Sequence, residues 1–398
     1  MSSVNSVCVV GAGILGLAVA RELTRRYPGI GVTVLDKEDH VAAHQTGHNS
    51  GVVHAGVYYP PGSLKATLCR RGAALTREFC QQHDVPLREL GKLIVAARDS
   101  ELAGLADIEQ RATANQVPGL RRLAASQIAE IEPCIQGAAA LHSPHTAVVD
   151  YVGMTAALGD EVTAAGGKVV LSTPVTGIRE TVSGVRLETG GVALDFDYVI
   201  VCAGLTGDQF ARDLGRVGDL QIVPFRGEYY ELRPQARDQV RGMVYPVPDP
   251  RYPFLGVHLT RHVDDTVQVG PNAVLALAFE GYRWGDISPG DLSRIARWPG
   301  TWQLAKKHWR AGVSEITGSL SKRRYLSLVR AYLPNLELAD LIRSKSGVRA
   351  QAVRRDGNLE DDFVLEASGQ VLLVRNAPSP AATASLAIAE HVVSAIPA

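Results

Sequence analysis

Val7 to Val10 is a short β-rich run that leads directly into Gly11-Ala12-Gly13-Ile14-Leu15-Gly16. A helical pattern follows to about Arg26, and a second strand-like run, Gly31 to Leu35, ends at Asp36. This order constrains the fold more than any other feature. Glycines at these positions permit a tight turn and let the backbone approach a pyrophosphate. The helix beyond them offers free N–H groups and the positive end of its dipole. Asp36 stands 20 residues after Gly16, the place for a carboxylate that accepts from a ribose 2′-hydroxyl. The reading is a β-α-β unit holding a dinucleotide through Gly11, Gly13, Ile14, Gly16 and Asp36. The alternative is a glycine turn in a fold that has lost its ligand.

The chain has 398 residues, too many for one ordinary core, so two domains are expected. Gly166 to Leu171 reads as a turn and strand, Pro174 to Gly177 follows, and Asp197 to Gly204 is an apolar strand ending at a glycine. The cofactor domain therefore returns after an insertion. It is expected to span 1–85, 146–221 and 339–398, with 86–145 and 222–338 forming the second domain. Strand-like pieces in the latter are Gly227 to Leu232, Phe254 to Thr260 and Thr266 to Val269, before a helical region from about 290 to 330.

Charge and cysteine content remove several classes. Lys plus Arg and Asp plus Glu number 41 each, so net charge gives no reason to expect nucleic acid. Five cysteines with no CxxC pair argue against a disulfide framework or a zinc site, and no metal is expected. The apolar N-terminus is broken by glycines, lacks a basic leader and is shorter than the ~20 residues a membrane span needs. A cytoplasmic protein is the default. One segment departs from neutrality: 291–330 carries nine basic residues against Asp291 and Glu315, and all four tryptophans fall between 284 and 309. Such a patch can rest at the inner face of an anionic membrane. The plainer expectation is solvated helix faces with Trp in the core.

Two loops concentrate chemistry. Residues 45–62, QTGHNSGVVHAGVYYPPG, combine His, Asn, paired Tyr and glycines, a mix a core segment does not use. Near the C-terminus, a strand over Val371 to Val374 leads through Asn376-Ala377-Pro378-Ser379-Pro380 into a helix from Ala381 to about Val393. Ser and Pro there are ordinary capping residues. A helix start aimed at a flavin's N1/O2 edge would also stabilise the reduced, anionic ring, so a flavin suits this loop better than NAD.

Gly11 to Gly16, Val34 to Glu38, Gln45 to Gly62, Arg226 to Tyr230, Pro246 to Pro250, Gly256 to Arg261, Gly270 to Ala273, Gly347 to Gln351 and Asn376 to Thr383 resemble the L-2-hydroxyglutarate oxidase/dehydrogenase family of the D-amino-acid-oxidase-like superfamily. HQTGHNSGVVHAGVYY and NAPSPAATASL are the specific stretches; Asp36 departs from the Glu common in relatives. The resemblance implies an α/β chain with a discontinuous Rossmann-like FAD-binding domain and a second α+β substrate domain built on an antiparallel sheet. It implies non-covalent FAD and oxidation of L-2-hydroxyglutarate to 2-oxoglutarate. It also implies that Lys37, Thr46, His48, Asn49, Ser50, Gly51, Val175, Ala203, Gly204, Gly347, Asn376, Pro378, Ser379, Pro380 and Ala381 join the fingerprint in holding the cofactor.

Oxidising a hydroxy acid needs a base for the hydroxyl proton, a hydride acceptor and cations for the carboxylates. His54, in a glycine-flanked loop and able to be neutral near pH 7, is the first candidate base, with His48 as alternative. His258 is more suited to a pocket wall. Arg349 offers a planar fork for one carboxylate. Arg226, Lys65 and Arg261 compete for the other, and the sequence does not choose between them. Tyr58, Asn272 and Gln351 are candidate polar walls. Other readings stay open: a flavin enzyme acting on glycine, sarcosine or glycerol 3-phosphate, or a non-catalytic flavin-binding module that docks on membranes. An NAD-only dehydrogenase is the weakest. The electron acceptor, whether oxygen, a quinone or a carrier protein, is not legible.

Overall fold

Val7 and Val9 point to one side of the first strand, Ser6–Val10, and Cys8 and Val10 to the other; all four are buried. A strand apolar on both faces belongs inside a covered parallel sheet. The computed structural model, which describes residues 4–249 and 255–396, places it there. Ser6–Val10 pairs in parallel with Gly31–Leu35 on one side and Tyr198–Val201 on the other. Among the described residues the sheet has six strands, completed by Lys168–Val170, Val371–Asn376 and the antiparallel edge Val364–Ser368.

Helices Ile14–Arg26, Tyr151–Ala164 and Ala381–Ser394 cover one face. A three-stranded sheet, Val175–Glu180, Val185–Thr189 and Val192–Phe196, covers the other. Leu17 and Leu23, fully buried on the first helix, each contribute about 1.5–3 kcal/mol by leaving water. Ala381–Ser394 also crosses Leu64–Gln82 closely: a Cβ on Gly72 would overlap the Thr383 carbonyl and Ala384 Cα.

The second layer is a nine-stranded sheet among the described residues, antiparallel except where Met243–Pro246 runs parallel to Lys92–Ala96. Its two faces differ. Leu93, Val95, Val244, Leu259 and Val269 pack beneath the helix Lys322–Val329. Lys92, Met243 and Thr260 share the opposite face by register, as do Ile94 and Tyr245. That second face looks toward the loop 45–62.

Three details differ from expectation. Leu341–Arg354, expected within the cofactor domain, is a strand of the large sheet paired along its length with Leu220–Leu232. Ser346 to Gln351, which in sequence reads as a turn leading into a strand, is strand throughout; Gly347 is needed because a Cβ there would collide with the His48 carbonyl. In the basic segment, helices Pro289–Arg297, Pro299–Leu320 and Lys322–Val329 bury only part of the tryptophan content. Trp298 is buried and donates to the Val353 carbonyl at 3.0 Å, whereas Trp302 and Trp309 are 64% and 60% exposed. Pro250 and Phe254, named above in a motif and a strand, lie outside the described residues.

Candidate active site

The glycine turn forms an open cradle. Gly11 has φ +111°, and a Cβ on Gly16 would strike the Gly11 carbonyl. A Cβ on Gly13 would meet only Thr46 Oγ1, at 3.4 Å, so the space above it is free for a phosphate. No side chain of the capping residue closes the start of the helix, although Ile14 N donates to Thr46 Oγ1 at 3.1 Å. The Asp36 carboxylate beside it accepts from Ala12 N at 2.5 Å and Glu38 N at 2.9 Å. Gly204 faces Gln45 from the next strand end, with half-buried Ala203 before it, and Val175 begins the covering sheet. These residues fit a dinucleotide. Lys37 points elsewhere: its ammonium bridges Glu38, His44 and Glu280, supplying the positive charge in a set whose spacing would otherwise suit a cation.

Beyond the cradle the loop 45–62 is locked by its own polar groups. Asn49 Nδ2 donates to the carbonyls of Gln45 and Thr46, and its Oδ1 accepts from Gly51 N at 2.7 Å. His48 Nδ1 donates to the Ser346 carbonyl at 2.9 Å, and its ring lies 4.3 Å from that of Tyr282. Burial lowers the His48 pKa. Half-buried Ser50 completes this segment.

His54 is held from three sides. Its N–H donates to Thr383 Oγ1 at 3.1 Å, its carbonyl accepts from the Cys69 thiol at 3.4 Å, and its Nε2 lies 3.4 Å from Ser379 Oγ. Thr383 in turn donates to the Val52 carbonyl and meets the Tyr151 hydroxyl. Ser379 and Pro380 lead into helix Ala381–Ser394, where Pro380 provides no side-chain cap and Ala381 N donates to the Pro378 carbonyl. The helix start and the imidazole therefore meet. His54 Nδ1 is buried without a partner. Burial, then the charge of Lys92, pushes its imidazole down to about 3.

His258 stands close by, stacked on Tyr245 with ring centroids 4.0 Å apart. A carbonyl can only accept, so Nδ1–H donates to the Gly256 carbonyl at 2.9 Å and Nε2 keeps its lone pair. Burial lowers His258 to about 3, and Arg349 and Lys92 add to the effect. Arg349 bonds the buried Tyr229 hydroxyl. Lys92 lies 4.8 Å from the Tyr58 ring centroid and 4.9 Å from that of Tyr245. The Tyr58 hydroxyl is buried and unpartnered. Two neutral imidazoles thus stand among phenols and two cations. The arrangement can accept a proton and hold anionic groups.

Several candidates sit elsewhere. Arg226 is opposite Val348 in the strand pairing and Arg349 is opposite Phe225, so the two arginines leave opposite faces. Arg226 instead meets Glu228 at 3.4 Å and stacks on Trp284. Asn272 Oδ1 accepts from Glu228 N at 2.8 Å, and Gln351 donates to the Glu360 carbonyl at 3.2 Å; both hold backbone. Arg261 pairs with Asp265. Lys65 approaches His54 but is engaged by Asp361 at 2.7 Å. Asn376 donates to the Glu360 and Asp362 carbonyls and leaves a buried Oδ1 unpartnered. Lys92, Tyr229, Tyr245 and Thr383 escaped the sequence reading as site residues. The one legible signal was a lysine opening the apolar run Leu93 to Ala96.

Comparison with known proteins agrees with this architecture. The family described as FAD dependent oxidoreductase (DAO) matches residues 6–395. The chain is 42% identical to the mitochondrial L-2-hydroxyglutarate dehydrogenase of Homo sapiens, over 96% of this chain and 86% of that protein. It is 42% identical to the L-2-hydroxyglutarate dehydrogenase of Escherichia coli K12, over 98% and 92%. Among solved structures, the L-alpha-glycerophosphate oxidase of Mycoplasma pneumoniae with FAD bound superposes with a TM-score of 0.79 at 22% identity, covering 98% of this chain and 93% of that one. Glycine oxidase from Geobacillus kaustophilus gives 0.70 at 19% identity, over 98% and 93%. At these identities the structural likeness speaks for the fold.

Proposed function

The chain belongs to the FAD-dependent oxidoreductase family, and from that premise we propose that it oxidises L-2-hydroxyglutarate to 2-oxoglutarate. FAD, held without a covalent link, supplies the acceptor for the hydride that leaves C2. The observation that carries the reading is the neutral His54, fixed through Thr383 and Ser379 and flanked by buried cations. His54 takes the C2 hydroxyl proton. Burial first, and then the nearby cations, keep its ring neutral; a dianion that enters offsets the cations, which raises its affinity for that proton. Arg349 holds the C1 carboxylate, where a rigid fork fixes C2 for hydride loss. The cradle of Gly11, Gly13 and Asp36 would hold the dinucleotide, and the start of helix Ala381–Ser394 would offer its positive dipole end to a reduced, anionic ring.

Anaerobic mixing of the flavin-loaded protein with L-2-hydroxyglutarate, followed at the flavin band, tests this. The L-enantiomer should bleach it; the D-enantiomer, L-lactate, glycine and glycerol 3-phosphate should not. Bleaching by glycerol 3-phosphate or glycine instead would sink the substrate assignment. His54→Ala should keep the flavin and slow its reduction by about 100-fold or more; normal reduction would remove His54 from the base role.

The reading extends to a peripheral membrane contact. Beyond a kink at His308, Trp309, Val313 and Ile316 fall on one helical face and are exposed, as is Trp302 before the kink. Lys306, Lys307 and Arg310 stand among them. An exposed apolar stripe with basic neighbours suits an anionic lipid surface. No helix among the described residues is long and apolar enough to cross a membrane, so the contact would lie on the surface.

A further inference from the structure

The described residues bury four Lys or Arg side chains: Lys65, Lys92, Arg226 and Arg375. Three of them have a carboxylate. Lys65 meets Asp361, Arg226 meets Glu228, and Arg375 meets Glu366 and Asp208. Lys92, 1% exposed, has none within 4 Å among the described residues. Its neighbours are the ring faces of Tyr58 and Tyr245. Ring quadrupoles attract an ammonium but do not neutralise it. A buried charge without a counter-ion is costly, and a fold keeps one where a ligand supplies the missing charge.

The position of Lys92 says which ligand. It lies over the Tyr245 ring, whose other neighbour is His258, and its charge is felt at both His258 and His54, so it stands beside the group assigned to the reacting end, a ring's width away. Tyr58, under its ammonium, carries a buried hydroxyl with no partner. Ammonium and phenol together offer donors for both oxygens of a carboxylate. Arg349 acts on His258 from another strand of the same sheet. A carboxylate on the reacting carbon needs the rigid fork of an arginine. One at the end of a flexible two-carbon arm is matched by a compact ammonium with rotatable donors.

We propose that Lys92 binds the distal carboxylate of the substrate and so selects a diacid over a monoacid. The inference rests on the dicarboxylate reading above.

The test compares flavin-loaded wild type with Lys92→Met. Dissociation constants for glutarate and butyrate are read from perturbation of the flavin spectrum. Flavin reduction is measured with L-2-hydroxyglutarate and L-2-hydroxybutyrate. The diacid-to-monoacid preference should fall by about 10- to 100-fold in both binding and reduction, the scale of a lost charge-assisted contact. An unchanged preference, with both acids weakened alike or neither, overturns the assignment, because a purely structural lysine does not distinguish chain ends. If Lys92→Met fails to retain flavin, Lys92→Gln carries the same comparison with a polar, uncharged side chain. If wild type is not reduced by L-2-hydroxyglutarate yet holds glutarate through Lys92, the substrate reading falls and the anion site stands.

Discussion

At the scale of single residues, the candidate site is defined by groups kept from their ordinary ionisation. His54 and His258 are both lowered to about 3, first by burial. Burial also lowers His48, His142 and His262. Unfolding returns these rings to an ordinary value near 6.5. Below that pH the unfolded chain takes up protons that the folded chain refuses. Stability is therefore whole above about 6.5 and is lost as pH falls toward 3. The melting temperature of the flavin-loaded protein should drop between pH 7 and pH 5, before most carboxylates titrate. His258→Leu should flatten that slope by up to one proton, about 1.4 kcal/mol per pH unit. A melting temperature that is flat across this window would contradict the neutral, buried imidazoles. His54 was legible as a candidate because it sits in a glycine-flanked loop and an imidazole can be neutral near pH 7. Lys92 was not, because a lysine before Leu93 reads as the solvated end of a strand until pairing with Met243 shows it is internal. Arg226 misled for the related reason that strand register, which decides the face, is invisible in one chain.

At the scale of elements, helix Ala381–Ser394 ties the loop 45–62, which carries the proposed base, to the parallel-sheet layer. Its first turn carries Thr383, whose hydroxyl accepts from His54 N and donates to the Val52 carbonyl. Thr383→Val keeps the shape and removes both bonds together with the contact to the Tyr151 hydroxyl. It should cost about 1–3 kcal/mol of stability and slow flavin reduction more than it weakens substrate binding, since it frees His54, the proposed base, to wander. Thr383→Ser should restore most of both; failure of Ser to rescue would mean the methyl packing, not the hydroxyl, matters. The helix itself was legible from its apolar run and its Ser-Pro start. The strand Leu341–Arg354 was read too short, because a glycine that admits a neighbouring carbonyl looks the same in sequence as one that makes a turn.

At the scale of the whole molecule, zero net charge conceals an uneven surface, with the basic segment 291–330 presenting Trp302 and Trp309 to solvent. The sequence pattern identified the patch but not its exposure, since a tryptophan in an amphipathic helix is ordinarily a core residue. Vesicles of phosphatidylcholine with phosphatidylserine should sediment the flavin-loaded protein at low salt. The Trp302→Ala, Trp309→Ala double variant should remain in the supernatant with its activity on free substrate intact. Equal sedimentation of both proteins would show that this face does not meet lipid. The existence of two layers could be read from the returning strands, whereas the order of strands in the large sheet could not, because pairings between distant segments leave no local mark.

The pairing of Leu341–Arg354 with Leu220–Leu232 has a further consequence for how the chain is made. Val371–Asn376, interior to the parallel sheet, and Ala381–Ser394, which covers the apolar side of Ile14–Arg26, also come late. A ribosome delivers the glycine cradle long before its covering helix. Until then the nascent chain carries two unfinished sheets with open edges, the condition in which chaperones are most needed. Vectorial synthesis cannot complete one layer before beginning the other, and the chain commits to both at once.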